Sequence, residues 1–149
     1  MAIRNILTDK DPVLRKKSKF VHTFDENLEV LLDDMRDTLF KANGAGLAAP
    51  QVGILKRVVL VYVNNMYVEM VNPEIIESSG SQCGDEGCLS SPGIFKKVTR
   101  ANKVTVRAYD RYGFEFTLTG EDLLARAIQH ECDHLDGILF LDRVDNQWR

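Results

Sequence analysis

Near its C-terminal end the chain reads Gln129-His130-Glu131-Cys132-Asp133-His134, after the run Glu121-Asp122-Leu123-Leu124-Ala125-Arg126-Ala127-Ile128. No other stretch limits the fold as much. Two histidines four residues apart share a face on a helix, where their Cβ atoms stand roughly 5–6 Å apart. At that separation two imidazoles converge on one cation, and Glu131 lies beside the first of them. The pattern reads as two zinc-type ligands with a carboxylate as general base. The chain has 3 histidines, and two of them fall here. A surface helix that merely carries His and Glu is the plain alternative.

The remaining chain has to build a core around that helix. Leu28, Leu31, Leu32, Met35, Leu39 and Phe40 recur at three- and four-residue spacing, the mark of one apolar helix stripe. Acidic residues fill much of the opposite face, and Asn43-Gly44 stops the pattern. Residues 25–42 are therefore expected to form a long N-terminal amphipathic helix. Strand signals follow. Arg57 to Val63 is rich in β-branched residues, Met66 to Val71 alternates, and Asn64-Asn65 between them suits a hairpin turn. Asn72-Pro73 is expected to end the second run. Lys103–Tyr109 and Phe114–Leu118 alternate as well, joined by a turn over Asp110–Gly113. Thr119 is a candidate cap for the helix that follows, and Ile138–Phe140 reads as a short buried piece. The sum is an α+β fold: antiparallel strands packed around a central metal-binding helix.

Bulk properties narrow the function. A length of 149 residues suits one domain over residues 1–149, and 28% charged against 44% hydrophobic residues excludes a disordered or fibrous chain. With 19 basic and 22 acidic residues the net charge is −3. That balance argues against direct nucleic-acid binding, which calls for a basic patch. No apolar run approaches the roughly 20 residues of a membrane span. The first ten residues lack the apolar centre of a signal peptide, so a cytoplasmic location is expected. Three cysteines, at 83, 88 and 132, favour free thiols or metal ligands over a disulfide framework.

Two histidines leave a catalytic metal one protein ligand short. Asp133, Glu131, Asp136, His22 and the cysteines are all candidates. Cys132 and Asp133 are off the face shared by His130 and His134. The best candidates stand in Gln82-Cys83-Gly84-Asp85-Glu86-Gly87-Cys88-Leu89-Ser90-Ser91-Pro92, read as a loop carrying two thiols. Earlier in the chain, Gly44-Ala45-Gly46-Leu47-Ala48-Ala49-Pro50-Gln51 has the glycines that let a ligand or a second backbone approach closely.

Taken together, Gly44–Gln51, Glu86-Gly87-Cys88-Leu89-Ser90 and Gln129–His134 resemble the three signature motifs of peptide deformylases, in that family's order. Asp11-Pro12-Val13-Leu14-Arg15 is similar to its N-terminal segment, and the resemblance runs from about residue 3 to about residue 143. The resemblance implies an enzyme that removes the N-formyl group from the initiator methionine of nascent peptides. Cys88, His130 and His134 would hold one divalent metal, Fe(II) in the cell, with Zn, Ni or Co as replacements. Bound water would be the nucleophile and Glu131 the general base and acid. Gln51 and the Leu89 N–H would polarise the formyl oxygen. The Gly44–Gly46 stretch would carry the peptide backbone. Gly44, Ala45, Gly87, Leu123, Arg126 and Ala127 would border the substrate.

Three departures from the family pattern stand out. Arg126 occupies a usually apolar position, and its stem is expected to line a wall while its charge reaches water. Phe95 replaces an arginine that many relatives use to orient the peptide. The chain stops at Arg149, short of the helix with which many relatives dock on the ribosome, so ribosome docking is not carried over. Glu86 is expected to support a ligand, with Arg100 as its partner. Cys83 and Cys132 read as plain thiols, and His22 as a surface residue. Two other functions fit part of the pattern: a metallopeptidase that cleaves internal bonds, and a closed structural site completed by Cys83.

Overall fold

The computed structural model describes residues 2–145. Val58 to Val63 is apolar at nearly every position because it is covered on both faces. Val58 and Leu60 turn to one side of a sheet, and Val59, Val61 and Val63 turn to the other. This strand, β2 (Val58–Val63), lies within a five-stranded antiparallel sheet. Its neighbours are β1 (Gly46–Ala48) on one side and β3 (Met66–Ser79) on the other. Beyond β3 come β6 (Lys103–Tyr109) and β7 (Glu115–Glu121), giving the order β1-β2-β3-β6-β7. Asn64 and Asn65, at φ 53° and 64°, make the expected tight hairpin.

Strand β3 does not end at Asn72-Pro73. Asn72 turns out of the ladder at φ 52° and bonds both polar atoms of its side chain to the Val21 backbone. The register to β6 shifts between Val71 and Glu74. A proline is tolerated at such a break, so the strand passes through it.

The expected loop over residues 82–92 is instead part of a hairpin, β4 (Gln82–Cys88) and β5 (Ser91–Arg100), which forms its own two-stranded sheet. Its glycines and acidic pair look flexible in isolation. The alternation that pairs them lies on the partner strand, where Val98 and Arg100 are buried.

The first helix, α1 (Glu26–Ala42), packs Leu28, Leu31, Leu32, Met35 and Leu39 against one face of the five-stranded sheet. Asp25 caps it by accepting from the Leu28 N–H at 3.2 Å, and Asn43 closes it in the left-handed region. The expectation of an N-terminal helix is corrected: helix begins only at residue 26. The preceding stretch is extended apart from a 3-10 turn over Pro12–Arg15, because proline and polar residues there offer no apolar stripe. That stretch straps the molecule together. Ala2 and Arg4 donate backbone N–H groups to Asp34 and Thr38 of α1. Leu7 and Asp9 donate theirs to the carbonyls of Gln51 and Ser90, and Ser18 to that of Leu135.

The second helix, α2 (Asp122–Leu135), follows β7 directly and lies on the other face of the sheet. Thr119 is not its cap: it stays in β7 and bonds Thr105 across the strands. Glu121 occupies the cap position without a side-chain bond. After α2, Gly137 sits at φ 74°, and a Cβ there would stand 2.5 Å from the Arg15 carbonyl oxygen, so only glycine fits. Leu139 and Phe140 are buried, as the sequence pattern requires. The C-terminal end, on which the ribosome expectation rests, lies outside the described residues. Among the described residues, no helix is long and apolar enough to cross a membrane.

Candidate metal centre

Cys88 closes strand β4, and His130 and His134 stand one turn apart on α2. The hairpin brings the thiol to the helix, and the three ligand atoms lie within 4.8 Å of one another. Donors about 2.0–2.3 Å from a tetrahedral ion lie roughly 3.3–3.8 Å apart; Cys88 Sγ and His134 Nε2 are separated by 3.4 Å. The set of one sulfur and two nitrogens suits a borderline-soft divalent cation. Among the described residues it is the one such cluster. Cys83 does not join it: this thiol is exposed and lies 3.2 Å from Asp145 Oδ2. Cys132 packs into the core beneath α2, and burial pushes its thiol up to about 12. His22 is exposed.

The histidines are prepared for ligation from behind. His130 Nδ1 meets Glu86 Oε1 at 2.8 Å, which leaves Nε2 free to turn toward the thiol. Arg100 holds the same carboxylate with two bonds of 2.8 and 2.9 Å, the pairing anticipated from sequence, and also reaches Asp133 at 2.7 Å. Arg143 grips Asp133 from the far side. Burial opposes charge on Glu86, but Arg100 and His130 win, holding it well below the usual carboxylate range. For His134, burial and then the neighbouring His130 and Arg100 push the imidazole down to about 3, so it stays neutral. His130 is opposed by burial, yet Cys88, Glu131 and Glu86 hold it up at about 10. Ligation would release that proton, since a metal takes the neutral ring.

Glu131 stands apart from this network. It is 4% exposed, and its Oε1 has no partner among the described residues. Burial pushes it up to about 7, with His130 opposing. Its other oxygen lies against Gly46, where a Cβ would come within 2.4 Å. Any side chain at this point of β1 would push the Glu131 carboxylate out of its place. A buried unpartnered carboxylate oxygen beside two imidazoles and a thiol is costly unless something binds there, and a cation with its solvent fits that need.

Gln51 is aimed by its surroundings. Its Oε1 accepts from the Ala48 N–H at 2.9 Å, so the amide NH₂ faces Ser90 Oγ at 3.1 Å and Cys88 Sγ at 3.5 Å. Ser90 closes the Glu86–Ser90 motif, but nothing in the motif's spacing assigns it this contact with Gln51. From sequence Asp133 reads only as a candidate ligand, and its bond to Arg100 has no trace in residue spacing.

A cleft of about 390 Å³ opens beside the three ligands. Gly44, Ala45, Gly46, Gly87, Cys88, Leu89, Leu123, Arg126, Ala127, His130 and Glu131 all line it, so the residues expected around the substrate are gathered in one place. Strand β1 is an edge of the sheet. Tyr62 N–H bonds the Ala45 carbonyl at 2.8 Å, and antiparallel alternation then turns the N–H and C=O of Gly46 away from β2. Arg126 differs from expectation. Its charge does not reach water: the residue is 6% exposed and its Nη1 lies 2.6 Å from Glu86 Oε2. The buried carboxylate draws the guanidinium inward.

A thiol from a strand and two imidazoles from a helix, with a glutamate beside them in a cleft, define a metal-dependent hydrolase. Comparison with known proteins narrows this. The family model for polypeptide deformylases matches residues 3–149. The chain is 57% identical to a peptide deformylase of Caldicellulosiruptor bescii over 144 residues, 97% of this chain and 87% of that protein. It is also 57% identical to one from Heliobacterium modesticaldum, covering 98% and 97% of the two chains. The crystal structure of peptide deformylase from Thermotoga maritima superposes with a TM-score of 0.95 at 40% identity, covering 97% and 99%. The chain belongs to the polypeptide deformylase family, metal-dependent enzymes that remove the formyl group from the N-terminal methionine of new proteins.

Proposed function

We propose that residues 1–149 act in the cytoplasm as one catalytic domain that deformylates nascent formyl-methionyl peptides, with Fe(II) held by Cys88, His130 and His134. Zinc, nickel or cobalt would fit the same donors. When bound, the metal lowers the pKa of coordinated water toward about 7 and so supplies a nucleophile near neutral pH. The chain's own residues do the rest. Gly46, on the free edge of β1, receives the peptide backbone in strand fashion. The methionine side chain enters the cleft between Gly44, Ala45, Gly87, Leu123, Ala127 and the stem of Arg126. Gln51 Nε2 and the Leu89 N–H donate to the formyl oxygen as charge develops on it. Each such donor is typically worth about 2.7–4 kcal/mol of barrier. Glu131 takes a proton through its unpartnered Oε1 and returns it to the departing amine, general base and then general acid.

The observation that carries this reading is the meeting of the β4 thiol with the two α2 imidazoles beside a buried, unpartnered Glu131 oxygen. It also favours deformylation over the structural-site alternative, since Cys83 lies apart. The test is formate release from formyl-Met-Ala-Ser by protein purified without oxygen, with bound metal quantified and acetyl-Met-Ala-Ser as control. Metal-loaded protein that releases no formate, or that cleaves internal peptide bonds instead, overturns the reading.

A further inference from the structure

Glu86 accepts from four donors. Arg100 uses Nε on Oε2 and Nη2 on Oε1, His130 Nδ1 meets Oε1, and Arg126 Nη1 donates to Oε2. A carboxylate offers about four lone-pair sites, so each oxygen carries two partners and the group is full. Arg100 is pulled two ways, because its Nη1 is committed to Asp133. Arg126 pulls on Oε2 from the cleft side. It is buried, its Nε rests on Gln82 Oε1 at 3.3 Å, and its Nη2 has no partner among the described residues. A residue needed only as an apolar wall beside Leu123 and Ala127 has no reason to bury a guanidinium, since an aliphatic side chain avoids that desolvation cost. What the burial achieves is a second ion pair on the carboxylate that orients a metal ligand.

We infer that Arg126 is a positioning residue for His130: it completes the hydrogen bonding of Glu86 and so holds the imidazole with Nε2 aimed at the metal site. This rests on the hydrolase reading above. One side chain then serves both sides of the site, its stem as part of the substrate wall and its head as part of the ligand support. Neither motif spacing nor the three ligands alone reveal this link, because Arg126 lies four residues before His130 and acts through a strand 40 residues earlier.

The experiment follows zinc release from Zn(II)-loaded protein challenged with excess chelator. Arg126→Met keeps an unbranched apolar stem in the cleft and removes the guanidinium. Loss of a supporting partner typically costs about 10–100-fold in metal affinity; release is expected to accelerate by at least about tenfold, with kcat lowered and KM for formyl-Met-Ala-Ser nearly unchanged. Arg126→Lys is expected to recover part of the retention. Wild-type release from the Met variant overturns the inference. A raised KM with kcat and release unchanged does so too, since it marks a wall and nothing more. Should the Met variant not fold, Arg126→Gln carries the same expectation and the same overturning result. A wild-type protein that holds zinc yet releases no formate sinks the hydrolase reading and leaves the release comparison standing.

Discussion

Helix α1 turns Leu28, Leu31, Leu32, Met35 and Leu39 to the sheet, whereas α2 buries Ala125, Ala127, Ile128 and Leu135 together with Arg126, His130, Glu131 and His134. Both are amphipathic and both lie on the same five strands. On α1 each large side chain removes apolar surface from water, worth about 1.5–3 kcal/mol apiece. On α2 two of the four buried apolar positions are alanine, and four polar side chains are buried beside them. Those groups either pair, as Arg126 does with Glu86, or face the cleft, as Glu131 does. One helix is spent on stability and the other on chemistry, so substitutions on the two faces should separate cleanly.

The sharpest break of that separation concerns the ligand set. Cys88→Ala should lose its metal and its hydrolysis by more than the roughly 10–100-fold typical of losing a mere supporting group, while Cys83→Ala keeps both. Metal content by elemental analysis checks this, and equal loss from the two variants would revive a closed structural site. Glu131→Gln comes next. It should retain the metal and its melting temperature yet lose about 10²–10⁴ in kcat; a full rate in a metal-loaded variant rules out the proton-transfer role.

On the other helix, Leu32 is fully buried, and Leu32→Ala should cost about 2–5 kcal/mol in denaturant unfolding. Metal stoichiometry and kcat should stay unchanged well below its midpoint. If metal is lost at temperatures where the variant is folded, the two helices are not independent. The smallest effect belongs to Asp34, where Asp34→Asn should cost about 1–3 kcal/mol near neutral pH by weakening a buried hydrogen-bonded carboxylate. Burial opposes its charge, but the Ala2 N–H and the Arg4 guanidinium prevail and lower its pKa. A lowered carboxylate stabilises above its ordinary value of 3.8 and loses that contribution as pH falls through the lowered one. The difference from wild type should therefore shrink in acid; a difference constant with pH would count against this pairing.

Much of this architecture was legible because local chemistry and global position agree. The α1 stripe, the Asn64-Asn65 turn and the alternation of β6 each report a period that packing then uses. The metal helix was legible for the same reason, since four-residue spacing is a helical fact. What escaped lies where partners are remote in sequence. Nothing in Gln82–Cys88 shows that β5 will pair with it, so in isolation the strand reads as a loop. Pro73 looked like a terminator because its local rule is strong, yet the bond between Asn72 and Val21 carries the strand past it. Arg126 misled in the opposite sense: long cations usually keep their heads wet, and only the fold brings Glu86 within reach.

Strand β1 is three residues long and gives way at once to the 3-10 turn beginning at Ala49. If β1 carries the substrate as proposed, a visiting chain has a rail for only its opening residues, and whatever is encoded further along slides past unread. Such brevity suits a catalyst that must treat unrelated newcomers alike, judging each by its first few atoms and ignoring the rest.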